Sequence, residues 1–139
     1  MSRDQKTPKL ADLKSKANEV RKKPLNPSTM PDETTVNWAN EFGLYLSGGR
    51  DKMTTSQLRN FFNELKRTQA VGFSQPKIQM LRVQLAYVKG RHKGKIEAFV
   101  DVIEPFLRES IIKGKDEFYV FVQIVEAIVA FRKAEGNDE

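Results

Sequence analysis

Along nearly the whole chain from Val36 to Phe131, large apolar residues recur at intervals of three and four, and nowhere do they alternate with polar ones. That period is the period of an α-helix buried on one face, whereas a half-buried strand would repeat every second residue. The spacing therefore predicts an all-α protein: a single five-helix bundle preceded by a flexible N-terminal arm. With 139 residues, one such domain can bury about two-thirds of its extended-chain surface without disulfides, and the chain has no cysteine.

Residues 1–31 hold four of the six prolines and few large side chains, so they read as a basic arm and linker leading to a bundle over 32–136. Within the arm, Thr7-Pro8 fits an N-cap followed by proline at the first helical position, and Leu10, Leu13, Ala17 and Val20 keep helical spacing. A helix of that length is marginal alone, because nucleation outweighs its few hydrogen bonds, so it is expected to form on contact with a partner.

The first bundle helix is expected to be capped by Thr34 or Thr35, to carry Trp38 and Phe42 toward the core, and to stop at Gly48-Gly49. Thr54 and Gln57 fit a capping box opening the next helix, with Leu58, Phe61, Phe62 and Leu65 on its apolar face. Between Ser74 and Lys95 the pattern changes. Ile78, Leu81, Leu85 and Val88 form one stripe, while Met80, Val83 and Tyr87 form a second nearly opposite. Two apolar faces predict a central helix covered on both sides. Pro105 should kink or divide the following helix. Asp116 is the expected cap of the last one, whose apolar surface encloses Glu126. A buried carboxylate needs a partner, expected to be Arg59 or a cation of the central helix.

Charge is segregated. Residues 50–95 carry eleven basic and two acidic side chains, while residues 96–139 carry five and ten. A surface of one sign attracts an oppositely charged polymer. The candidate phosphate-binding side chains are Arg50, Lys52, Arg59, Lys66, Lys77, Arg82, Lys89, Arg91 and Lys93, with Arg82 and Lys89 on one line between the two stripes. The helix start at Thr54–Ser56 could add backbone N–H groups. Few aromatic or amide side chains alternate with these cations, so contacts to phosphate rather than base reading are expected.

Catalysis has little to build on. His92 is the single histidine and lacks a nucleophile or ligand set at workable spacing, and no phosphate-cradling glycine loop is present. Glu97, Asp101 and Glu104 share a helix face that could in principle hold magnesium, but they read more simply as a solvated acidic face. No enzyme activity, cofactor or metal is expected. No apolar run approaches the roughly 20 residues needed to cross a bilayer, so neither an anchor nor a signal peptide is expected.

Three blocks in order, KMTTSQLRNFFNEL, MLRVQLAYVKGR and FYVFVQIVEAIVAFRKAEG, resemble the small helical subunit of type III-A CRISPR RNA-guided effector complexes, the Csm-type family. The resemblance spans residues 52–136 and rests on TTSxxRN, LxYxxGR and VEAxVAF at these separations. It implies a cytoplasmic, prokaryotic, non-catalytic subunit that contacts guide RNA and target RNA through basic side chains. It also implies stacking beside the backbone and other subunits in a filament, or as a dimer, with cutting left to others. By motif Arg59, Tyr87, Gly90, Arg91 and Glu126 carry over, with Arg59 and Arg91 toward RNA and Glu126 toward internal pairing. Gln84 stands where the resemblance leads one to expect another basic side chain. Two other readings fit the residues: a helix-turn-helix protein on duplex DNA, and a helical protein adaptor using its basic face on acidic surfaces.

Overall fold

The structure is a computed structural model that describes residues 7–138. Among them are six α-helices and no strand: α1 (Leu10–Lys22), α2 (Glu33–Ser47), α3 (Thr55–Val71), α4 (Gln75–Arg91), α5 (Lys95–Ile103) and α6 (Lys115–Glu135). A single 3-10 turn, Glu104–Leu107, follows α5. It begins where Pro105 removes the hydrogen bond that would have continued the helix, so the expected division occurs. The bundle thus has six helices rather than five.

The additional helix is α1, and it is not a free arm. Leu13, Ala17 and Val20 are buried, and the Trp38 indole Nε1 donates to the Leu13 carbonyl at 3.0 Å. Leu25 and Met30 continue the same core through the linker. The partner that the arm helix was expected to need is α2 of its own chain. The helix begins at Leu10 with Lys9 at the N-cap and no side-chain cap, so Thr7-Pro8 does not cap it. Residues 1–6 of the expected arm lie outside the described residues.

The central element is α6, whose Phe118, Phe121, Val125 and Ile128 are all buried. It packs along α2 closely enough that a Cβ on Gly43 would sit 2.8 Å from the Arg132 backbone nitrogen. Only glycine allows that approach. Trp38, Phe42, Phe99, Phe106 and Phe121 form a chain of ring contacts across the core, with centroids 5.5–6.2 Å apart.

α4, expected to be central, is an outer helix. Ile78, Leu81 and Leu85 are buried, but Met80, Val83 and Tyr87 are 55%, 44% and 73% exposed. Helical period identifies two apolar faces without saying what covers the second. Two caps also differ from expectation. Asp32, not Thr34 or Thr35, caps α2 by accepting from the Thr35 N–H at 2.9 Å, and Thr35 Oγ1 donates to the same carboxylate. α6 starts after Gly114 with no side-chain cap, so Asp116 lies in its first turn instead. The capping box of α3 is present, with Thr54 Oγ1 accepting from Gln57 N and Gln57 Oε1 accepting from Thr54 N.

Candidate nucleic-acid interface

The positive side chains of residues 50–95 divide into groups that the sequence does not separate. The largest group forms a corner from two segments about forty residues apart. One is the loop from Gly48 to Thr54, which joins α2 to α3 and carries Arg50 and Lys52. The other is the turn from Arg91 to Gly94, which joins α4 to α5 and carries Arg91, His92 and Lys93.

Lys95 joins the two segments. Its backbone N–H donates to Asp51 O at 3.0 Å, and its ammonium donates to Tyr45 O at 3.0 Å and Gly48 O at 2.8 Å. The same ammonium lies 4.5 Å from the centroid of the Tyr45 ring and 3.9 Å from Asp51 Oδ1, with the side chain only 14% exposed. Lys95 is thus a structural cation. Its charge is used on carbonyls and a ring face, where a half-buried ammonium gains most from directed donors. Gly94 completes the contact. Its φ of +79° is in the left-handed region, and a Cβ there would fall 2.5 Å from Asp51 Cβ.

Arg50, Arg91 and Lys93 are exposed and form no ion pair or hydrogen bond within the described residues. Lys52 is half-buried and donates to Asn137 Oδ1 at 3.4 Å. Lys77 lies on the same line of α4 as Arg91, fourteen residues away, which is about 21 Å along the axis. Gln84 falls midway between them on that line. Arg59 and Lys66 share the flank of α3 opposite Gln57, Phe61 and Glu64, the side of α3 that lines a cleft of about 200 Å³ against α4. The nine candidates therefore do not make one unbroken track.

Arg82 and Lys89 face carboxylates of their own bundle. Arg82 Nε donates to Glu104 Oε2 at 2.5 Å and Lys89 Nζ to Asp101 Oδ1 at 2.6 Å. The Asp101 hydrogen bond and charge hold the Lys89 ammonium above its ordinary pKa. Two members of the expected acidic face, Asp101 and Glu104, are thereby engaged, and no three metal-type ligands gather among the described residues. Glu126 is exposed, with no partner within the described residues, so the expected buried pair with Arg59 or a cation of α4 is absent. It lies well off the Phe118–Phe121–Val125–Ile128 stripe, about 120° away on the helix wheel.

The residue that continues that stripe is Arg132, and it is fully buried. Its guanidinium donates to Met53 O at 2.7 Å, Gly136 O at 2.5 Å, Asn137 O at 3.2 Å and Asp138 Oδ1 at 3.1 Å. The signal was present in the sequence: Arg132 follows Ile128 by four residues, in phase with the apolar repeat. Two of the three N–H groups expected to be free at the start of α3 are engaged: Thr54 N donates to Gln57 Oε1 at 2.8 Å, and Asp138 accepts from Thr55 N at 2.7 Å and from Thr55 Oγ1 at 2.8 Å.

The fold and this corner define a small all-helical protein whose exposed chemistry is a cluster of cations presented by two interlocked turns. The family model described as Csm2 Type III-A matches residues 29–138, and the chain belongs to that family of small type III-A CRISPR subunits. The match starts after α1, so the helix that packs under Trp38 lies outside it. No curated protein and no solved structure matches the chain. No helix among the described residues is long and apolar enough to cross a membrane.

Proposed function

We propose that this protein is a non-catalytic, RNA-facing subunit of a cytoplasmic type III-A effector complex, holding the guide RNA–target RNA duplex by its phosphates. The observation that carries the reading is the corner at which the Gly48–Thr54 loop and the Arg91–Gly94 turn meet. It gathers Arg50, Lys52, Arg91 and Lys93 from separate parts of the sequence, and Lys95 holds it together. Arg59 and Lys66 on α3 and Lys77 on α4 stand apart from this corner and would act as separate phosphate contacts. Arg82 and Lys89 would reach phosphate only by exchanging Glu104 and Asp101 for it.

Binding of this kind needs no base recognition. Each cation that neutralises a phosphate releases counterions, which makes affinity fall as salt rises, and specificity is left to base pairing with the guide. A single subunit would bind weakly. Several copies held side by side in a filament act together, which multiplies retention without new contacts. The exposed Met80, Val83 and Tyr87 stripe of α4 offers an apolar surface for neighbouring subunits or a second copy.

Replacing Arg50, Lys52, Arg91 and Lys93 by alanine in the assembled complex should reduce target-RNA retention at moderate salt while cutting of the RNA still bound continues. Unchanged retention would contradict the reading. A helix-turn-helix on DNA fits less well, because Gln79, at the end of α4 that would read bases, uses its amide on Leu107 O and on Arg82. Competition of duplex DNA against an RNA duplex separates these two.

A further inference from the structure

The last described residues do not trail away from α6. Gly136 and Asn137 adopt φ values of +72° and +61°, which reverse the chain and bring Asn137 and Asp138 back over the loop between α2 and α3. Asn137 Nδ2 donates to Ser47 O at 2.6 Å, at the start of that loop. Asp138 accepts from Thr55 N and Thr55 Oγ1 at its end, and the buried Arg132 donates both to Asp138 and to Met53 O just before it. The loop that carries Arg50 and Lys52 is thus fastened at both ends by the C-terminal segment, while Lys95 fastens its middle.

We propose that Arg132, Asn137 and Asp138 form a latch that positions Arg50 and Lys52 for phosphate, so that RNA binding by this corner depends on three residues that need not touch RNA. The proposal rests on the RNA reading above. Its physical basis is preorganisation. A loop held in one conformation before binding presents its cations without the ordering cost that a free loop incurs as RNA docks. Removing the latch keeps both cations but takes away the Asn137 Oδ1 to which Lys52 donates at 3.4 Å, and restores that cost.

Charge alone predicts the opposite sign. Asp138 is an anion beside a cationic corner, so its removal should strengthen attraction for a polyanion unless its structural role dominates. The test compares the native protein with the variant N137A/D138A, each with and without R50A/K52A, by fluorescence titration with a labelled RNA duplex at fixed salt. Arg132 is left intact, because removing a fully buried arginine strips four hydrogen bonds from the core and would confound binding with folding, and unchanged helical circular dichroism checks that the tail variant is folded.

The latch predicts that N137A/D138A weakens binding by roughly fivefold or more, against the charge expectation. It also predicts that R50A/K52A, which weakens the native protein, adds less than about twofold in the latch variant, because cations already out of position have little left to lose. Binding that is unchanged or stronger in N137A/D138A, or a full additive effect of R50A/K52A, would overturn the latch while leaving the RNA reading in place. If R50A/K52A has no effect on the native protein, the corner does not bind RNA and both readings fall.

Discussion

Replacing Lys95 by methionine tests whether the two turns form one structural unit. Methionine keeps most of the aliphatic stem but takes the ammonium donor from the Gly48 carbonyl, leaves the Tyr45 carbonyl with only the Gly48 N–H at 3.3 Å, and removes the cation from the Tyr45 ring. Hydrogen bonds from a charged donor contribute about 1.5–3 kcal/mol each, and the variant recovers part of this because the ammonium no longer has to be desolvated. A net loss of about 2 kcal/mol is expected, or about 7 °C in Tm for a chain of this length. The control is Lys93→Ala, which removes the same charge two residues away from a side chain that is exposed and unpaired. Its stability should stay within about 0.5 kcal/mol of the unmodified protein. Urea unfolding of both variants gives the comparison. Equal stability of the two would refute the account of the corner, since it would mean that Lys95 is an ordinary surface charge.

Two further variants test the fold. Leu13→Ala should cost about 2–5 kcal/mol in urea unfolding, because Leu13 is fully buried under α2, whereas an arm that merely lies on the surface would lose almost nothing. Asp32 is held down to a pKa of about 2 by its hydrogen bonds from Lys23 and from the Thr35 hydroxyl and N–H. A carboxylate with a depressed folded pKa contributes stability above its ordinary value of about 3.9 and loses that contribution as pH falls toward 2. The acid limb of stability between about pH 4 and pH 2 should therefore be shallower in Asp32→Asn, measured as urea midpoints across that range.

The helices were legible because each long apolar stripe keeps the helical period, and Trp38 with its neighbouring phenylalanines is core as their spacing implies. The chemistry of the site was less so. Periodicity shows that α4 has two apolar faces, but only tertiary packing decides that Met80, Val83 and Tyr87 remain uncovered. That α1 belongs to the core is not legible in the sequence, because its short stripe sits among charges and its partner Trp38 is 25 residues away from Leu13. The basic block of residues 50–95 reveals which side chains are positive but not which are engaged, since the partners of Arg82 and Lys89 come from the acidic block that follows. The buried ionic group was misplaced for a related reason. Glu126 sits within an apolar stretch of sequence, whereas Arg132 sits on the apolar stripe of the helix, and it is the stripe that is buried.

RNA binding by this subunit depends most on the cations of the corner meeting phosphate. The direct measurement is the slope of log K against log salt for an RNA duplex, compared between the native protein and the variant R50A/K52A/R91A/K93A. Each phosphate neutralised contributes about 0.7–0.9 to that slope, so four lost contacts predict a slope shallower by about 3. An unchanged slope, whatever the change in affinity, would contradict the claim.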